Sequence, residues 1–135
     1  MSHITTCTTE IQSLKDIESA CEFLGLKYQV DTKIRKWQGY ESADLVIKSP
    51  GNYDIGVKQK NGKFILFADS MAWAEFASKK KLKHMKFVTE ESFLGIIMQA
   101  IALTKAITEA ENLGHRIAYS EPDSEGIIHA RVEVD

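Results

Sequence analysis

The dipeptide Asn61-Gly62 constrains the fold of this chain more than any other feature. It separates residues 53–60 from residues 63–69, two runs rich in aromatic, β-branched and long apolar types. Asn-Gly between such runs is the strongest short-range signal for a two-residue type I′ hairpin turn. The turn pairs Lys60 with Lys63, and counting back along the ladder opposes Ile55 to Ala68 and Asp54 to Asp69. Like charges directly across a ladder repel, so this register calls for a basic neighbour, a shared proton or a bound cation. The alternative is a bulged or frayed hairpin end with both acids in water.

The flanking segments extend the pattern. Residues 2–11 carry four threonines and read as a strand. Ser13 with Asp16 marks a helix start of the capping-box kind, with Asp in place of Glu. Ile17, Ala20, Cys21 and Leu24 keep one apolar face, and Gly25 is placed to end that helix. Residues 27–37 form a second strand candidate, followed by a loop at Gly39. Residues 43–48 form a third, and Ser49-Pro50-Gly51-Asn52 turns it into the hairpin. Residues 70–88 are the least regular part. Thr89 with Glu90 and Glu91 opens the longest helix, which stops at Gly114. Residues 116–121 and 127–134 close the chain as strands joined by a turn at residues 123–126. The order β-α-β-β-β-β-α-β-β predicts an α+β fold: a mainly antiparallel sheet with two helices packed on one face, in a single domain over residues 1–135.

A turn that pairs Lys48 with Tyr53 assigns the faces. Leu45, Ile47, Asp54, Gly56, Ile65, Phe67 and Asp69 then share one face, and Val46, Tyr53, Ile55, Val57, Phe64 and Leu66 share the other, the better core face. Gly56 opposite Phe67 leaves room for the ring over the backbone. Asp44 falls on the opposite face from Asp54, which leaves the paired acids Asp54 and Asp69 without a third carboxylate. A divalent cation recruits more oxygens than two aspartates supply.

The chain has 135 residues, 44% hydrophobic and 27% charged, with a net charge of −2. This is the composition of a soluble globular protein, and the charge balance argues against a dedicated nucleic-acid binder. Cys7 and Cys21 read as two buried thiols in a reducing compartment, cytoplasmic or organelle stroma. No signal peptide is visible, and the most apolar stretch, residues 93–103, falls short of the roughly 20 residues that span a bilayer. His3, His84, His115 and His129 lie scattered, without metal-ligand spacing, and no nucleophile elbow, phosphate loop or dinucleotide fingerprint is present. Catalytic residues, metal and cofactor are therefore not assigned, and enzyme activity is disfavoured.

Two constellations point to binding. Lys79, Lys80, Lys81, Lys83 and Lys86 follow Trp73 and Phe76, so that an anionic ligand such as a nucleotide could stack on the indole and pair with the lysines. Arg35, Trp37 and Tyr40 form a smaller version of the same mixture. The alternative is a solvated loop whose aromatics anchor it to the domain. In the long helix, apolar residues between Phe93 and Leu103 cover nearly every face, which predicts a homo-oligomer contact centred on Ile97, Ala100 and Ile101, or else coverage by residues 73–87.

Several marks together resemble a known family: Met1-Ser2-His3, the Ala-Asp-Leu-Val-Ile run from Ala43, Tyr53-Asp54-Ile55-Gly56 before the Asn-Gly turn, Phe67-Ala68-Asp69, the long helix ending at Gly114 and a final Gly-Ile-Ile hairpin. They resemble the domain-of-unknown-function 1257 family (chloroplast hypothetical reading frame 35-like). That resemblance implies a small soluble protein and transfers no catalytic residues. The lysine stretch and Met98-Gln99-Ala100-Ile101-Ala102, where the family tends to carry an aromatic, depart from the pattern. Three functions follow in order: binding of an anionic small ligand, protein–protein interaction through the apolar helix and an exposed sheet edge, and an enzyme using the Asp54–Asp69 pair.

Overall fold

A computed structural model of the chain describes residues 4–8, 13–36, 39–49, 51, 53–69, 72–75 and 89–134. Strand β1 (Ile4–Thr8) leads to helix α1 (Leu14–Leu24), and strands β2 (Tyr28–Lys36), β3 (Gly39–Ile47), β4 (Ile55–Lys60) and β5 (Lys63–Asp69) follow. A short helix α2 (Ala72–Glu75), the long helix α3 (Glu90–Asn112) and strands β6 (Arg116–Tyr119) and β7 (Ala130–Glu133) complete the order. The first five strands form an antiparallel sheet in the order β1-β5-β4-β3-β2, and β6 pairs with β7 in a separate ribbon. The protein is an α+β fold with the expected element order and α2 added.

Asn61 and Gly62 both hold positive φ, 53° and 78°, the requirement of a type I′ turn. The ladder runs from Lys60–Lys63 back to Ile55–Ala68. Leu45, Ile47, Ile55, Val57, Leu66 and Ala68 turn toward the helices and pack with Ile17 and Cys21 of α1 and Phe93, Ile96 and Ile97 of α3. Burial pushes the Cys21 thiol up to about 12, so it stays protonated. On the reverse face Ile34, Ala43, Val46 and Phe67 form a smaller cluster. A Cβ on Gly56 would come within 2.5 Å of the Phe67 ring and 2.9 Å of Ile34, so the glycine is what lets the ring lie flat on the strand.

Strand β3 corrects the assignment of its faces. Its register with β4 opposes Leu45 to Val57 and Ile47 to Ile55, so Leu45 and Ile47 belong to the helix face and Val46 to the reverse face. The turn is one residue longer than a Lys48–Tyr53 pairing requires, and a shift of one residue exchanges the two faces of a strand. The β3–β4 ladder stops at Leu45–Val57, and beyond it the Asp44 carboxylate accepts the Gln59 N–H at 2.7 Å.

The helix ends differ in how they are held. Ser13 occupies the N-cap of α1 but makes no side-chain cap, and Asp16 instead reaches Lys105 of α3 at 3.1 Å. Gly25, with φ of 71°, closes that helix while Leu26 N–H bonds the Cys21 carbonyl. Thr89 and Ser92 form a reciprocal capping box at the start of α3.

Helix α3 is long and apolar enough to cross a membrane by length and composition, with a mean hydropathy of 1.4. Phe93, Ile96, Ile97, Ala100, Ile101 and Leu103 are buried against the rest of the fold, while Met98 is exposed. Ile97, Ala100 and Ile101 are buried in the core. The oligomer contact expected on them is therefore corrected: they face the core, because the helix is flanked by the sheet and by α1. An all-round apolar pattern reports burial without saying against what.

Candidate functional site

Continuing the β4–β5 ladder one rung beyond Ile55–Ala68 reaches Asp54 and Asp69, both on the face away from the helices. Both are buried, at 0% and 1% exposure, and they are the buried charged residues among those described. Asp69 also opposes Ile4 of β1. Buried carboxylates require charge or hydrogen-bond compensation. The longer β3–β4 turn supplies it for Asp54: Lys48 Nζ lies 3.7 Å from Asp54 Oδ2, and Ser49 N–H donates to Oδ1 at 3.4 Å.

A third acid completes this corner from a distant segment. Glu75 of α2 accepts from the Ser49 hydroxyl at 3.0 Å and from the Tyr53 N–H at 3.1 Å, while Ser49 Oγ accepts the Gly51 N–H. A Cβ on Gly51 would overlap the Glu75 carboxylate, so the glycine makes room for it. Each contact satisfies backbone or hydroxyl donors of the turn, which is a positioning arrangement. No group of His, Cys, Asp or Glu suited to a metal ion occurs among the described residues.

Of the expected anionic-ligand residues, Arg35, Tyr40 and Trp73 fall among the described ones. Trp73 lies in the core at 2% exposure, its ring tilted against Phe93 at 5.7 Å between centroids. That is a correction: a buried indole has no free face for a base, and it anchors α2 beneath α3 instead. Arg35 and Tyr40 are cross-strand partners near the end of the β2–β3 hairpin. Trp37, Lys79, Lys80, Lys81, Lys83 and Lys86 lie outside the described residues.

The C-terminal ribbon carries the features that sequence reasoning passed over. Gln99 of α3 clamps it: Nε2 donates to the Gly126 carbonyl at 2.6 Å, and Oε1 accepts the Ile128 N–H at 2.8 Å. Asp123 organises the connecting loop, accepting the N–H groups of Glu125 and Ile127 on Oδ1 and the His129 ring at 2.9 Å on Oδ2. The His129 hydrogen bond and these two amides hold the Asp123 carboxyl down at about 2. Ser120 Oγ accepts the backbone N–H of His129, so Ser120, His129 and Asp123 lock the loop and are not arranged as a nucleophile and base. Asp123 with Gly126 was the available turn signal. Gln99 gave none, because its partners lie 27 and 29 residues away.

Among the described residues, the ribbon's main anchor is on the β6 side. Strand β6 packs against α3, and Tyr119 stacks at a tilt on Phe23 of α1 with 4.8 Å between ring centroids. Among the described residues, strand β7 pairs with β6 alone. Val132 is 58% exposed and Val134 69%, with Ile127 also exposed. Two shallow open grooves, about 320 and 590 Å³, lie along Ser120, His129 and Arg131 and over the Asp123 loop. The Ser120 N–H bonds the His129 carbonyl at 2.9 Å, which fixes the alternation of bonded rungs. Arg131 and Glu133 direct their backbone groups at β6, while those of Ala130 and Val132 point outward.

A family model described as a protein of unknown function, DUF1257, matches residues 20–130. The chain is also similar to the uncharacterized protein ycf35 of Cyanophora paradoxa, at 28% identity over 98% of this chain and 97% of that protein. No solved structure matches.

Proposed function

The chain belongs to the DUF1257 family of proteins of unknown function, and from that premise we propose that it is an accessory interaction module that docks an extended segment of a protein chain by strand addition to β7. It works in a cytosol-like compartment or organelle stroma. The observation that carries this reading is the β6–β7 ribbon, which stands apart from the main sheet with exposed Val132 and Val134 and, among the described residues, no strand on the outer edge of β7. A two-stranded ribbon is marginal alone, and main-chain groups at a free edge offer affinity to an incoming strand. Gln99 and the Asp123 loop hold that edge in place before anything binds.

The test is a photo-activated cross-linker at Ala130 in the cells that make the protein, with and without Val132→Pro. The Val132 N–H points away from β6, so proline there removes a docking donor while keeping the ribbon's own ladder. The reading expects a discrete protein adduct that Val132→Pro abolishes. An adduct indifferent to the proline, or the same adduct from a cross-linker at exposed Gln59, would contradict it.

A further inference from the structure

Among the described residues, the outer edges of β2 and β7 differ in their defences. Edge strand β2 is interrupted by Asp31 in a left-handed conformation, φ 53°, and carries the exposed Lys33. Both are devices that keep an edge from pairing. Strand β7 has neither a positive φ nor a lysine. Its sequence, Ala130-Arg131-Val132-Glu133, places opposite charges symmetrically about Val132.

We propose that the occupant of this edge is β7 of a second copy, paired antiparallel about a two-fold axis through Val132. The inference rests on the docking reading above and names its partner. In this register Val132 faces Val132 of the partner subunit with the outward backbone groups of both exchanging hydrogen bonds. The flanking rungs set Arg131 opposite the partner's Glu133 and Glu133 opposite the partner's Arg131. These are non-bonded rungs, where side chains approach most closely, so the charges meet at short range. Glu133 already lies 3.5 Å from Arg116 of its own ribbon and gains a second cation from the other copy. The exposed Val132 side chains, on the face that carries Ile117 and Tyr119, come side by side at the axis. A shift by one residue would set Arg131 against Val132, and a shift by two would oppose like charges, so the register is self-selecting.

The test is sedimentation equilibrium on the unmodified protein and on two charge reversals, Arg131→Glu and Glu133→Arg. The unmodified protein should dimerise with rising concentration, each single reversal should be monomeric, and a mixture of the two should form a heterodimer. Mixing restores both Arg–Glu rungs, an outcome that misfolding of either variant cannot produce. Circular dichroism on each variant checks the fold. A monomer at every concentration, or a dimer unaffected by the reversals, overturns the inference. A monomer whose Ala130 cross-linker still captures another protein in a Val132→Pro-sensitive way overturns the second copy alone. Loss of that adduct as well removes the docking reading with it.

Discussion

At Gly56, a missing methyl group decides how two strands and a ring fit together. The Phe67 ring and the Ile34 side chain occupy the space a Cβ would need, and Lys58 Nζ sits 5.7 Å from the ring centroid on the same face. Gly56→Ala should therefore lower unfolding stability by about 1–3 kcal/mol in urea titrations, the cost of overpacking a filled site. A neutral result would mean that the ring moves freely. Asp54 gives the second test. With Lys48 at 3.7 Å and Ser49 N–H on its other oxygen, Asp54→Asn removes the charge that Lys48 answers. The substitution should destabilise by about 1–3 kcal/mol, toward the lower end because Lys48 is partly solvated. Relief of repulsion from Asp69 would give a stabilised variant instead. The hairpin register from Lys60–Lys63 to Ile55–Ala68 was legible because Asn-Gly admits few alternatives to a two-residue turn. The answering lysine was not, because it depends on the length of the turn containing Pro50, where one residue exchanges the faces of β3.

Among the elements, α3 and the ribbon behave differently under substitution. Ile97 is fully buried, so Ile97→Glu should cost about 4 kcal/mol or more and unfold the protein rather than separate subunits. A folded, monomeric Ile97→Glu seen by circular dichroism and light scattering would return that face to an interface. The hydropathy of α3 announced burial, but the sheet and α1 that cover it come from distant segments. Glu75 and Gln99 were illegible for the same reason: their partners lie 22 to 29 residues away. The ribbon loop carries a pH dependence of definite sign. Asp123 is lowered from 3.8 to about 2 in the fold, so its ionised form holds the loop at pH above its ordinary value. That hold should fade as pH falls from about 4 toward 2, seen as faster exchange of the Glu125 and Ile127 amides. Asp123→Asn should remove the trend; an unchanged profile would assign the loop's order to Gln99 alone.

At the largest scale, the five-stranded sheet and its two larger helices share one core, while the ribbon stands outside the sheet with one flank on α3 and the other edge unpaired among the described residues. The proposed docking puts association in the last strand, apart from the core that carries the stability, so the two separate experimentally. The expected element order, the hairpin and the capped helix carried the core half of this plan. The proposed docking strand lies in residues 127–134, whose exposed valines and neighbouring opposite charges look like an ordinary strand until β6 and β7 are found apart from the main sheet. The most direct test is residue-resolved hydrogen exchange of the purified protein at low and high concentration. In dilute protein, the Arg131 and Glu133 amides should be protected and those of Ala130 and Val132 should exchange freely. At high concentration Ala130 and Val132 should gain protection while Arg131 and Glu133 stay as they were. Outward amides that exchange freely at every concentration would contradict the account, as would outward amides already protected in dilute protein.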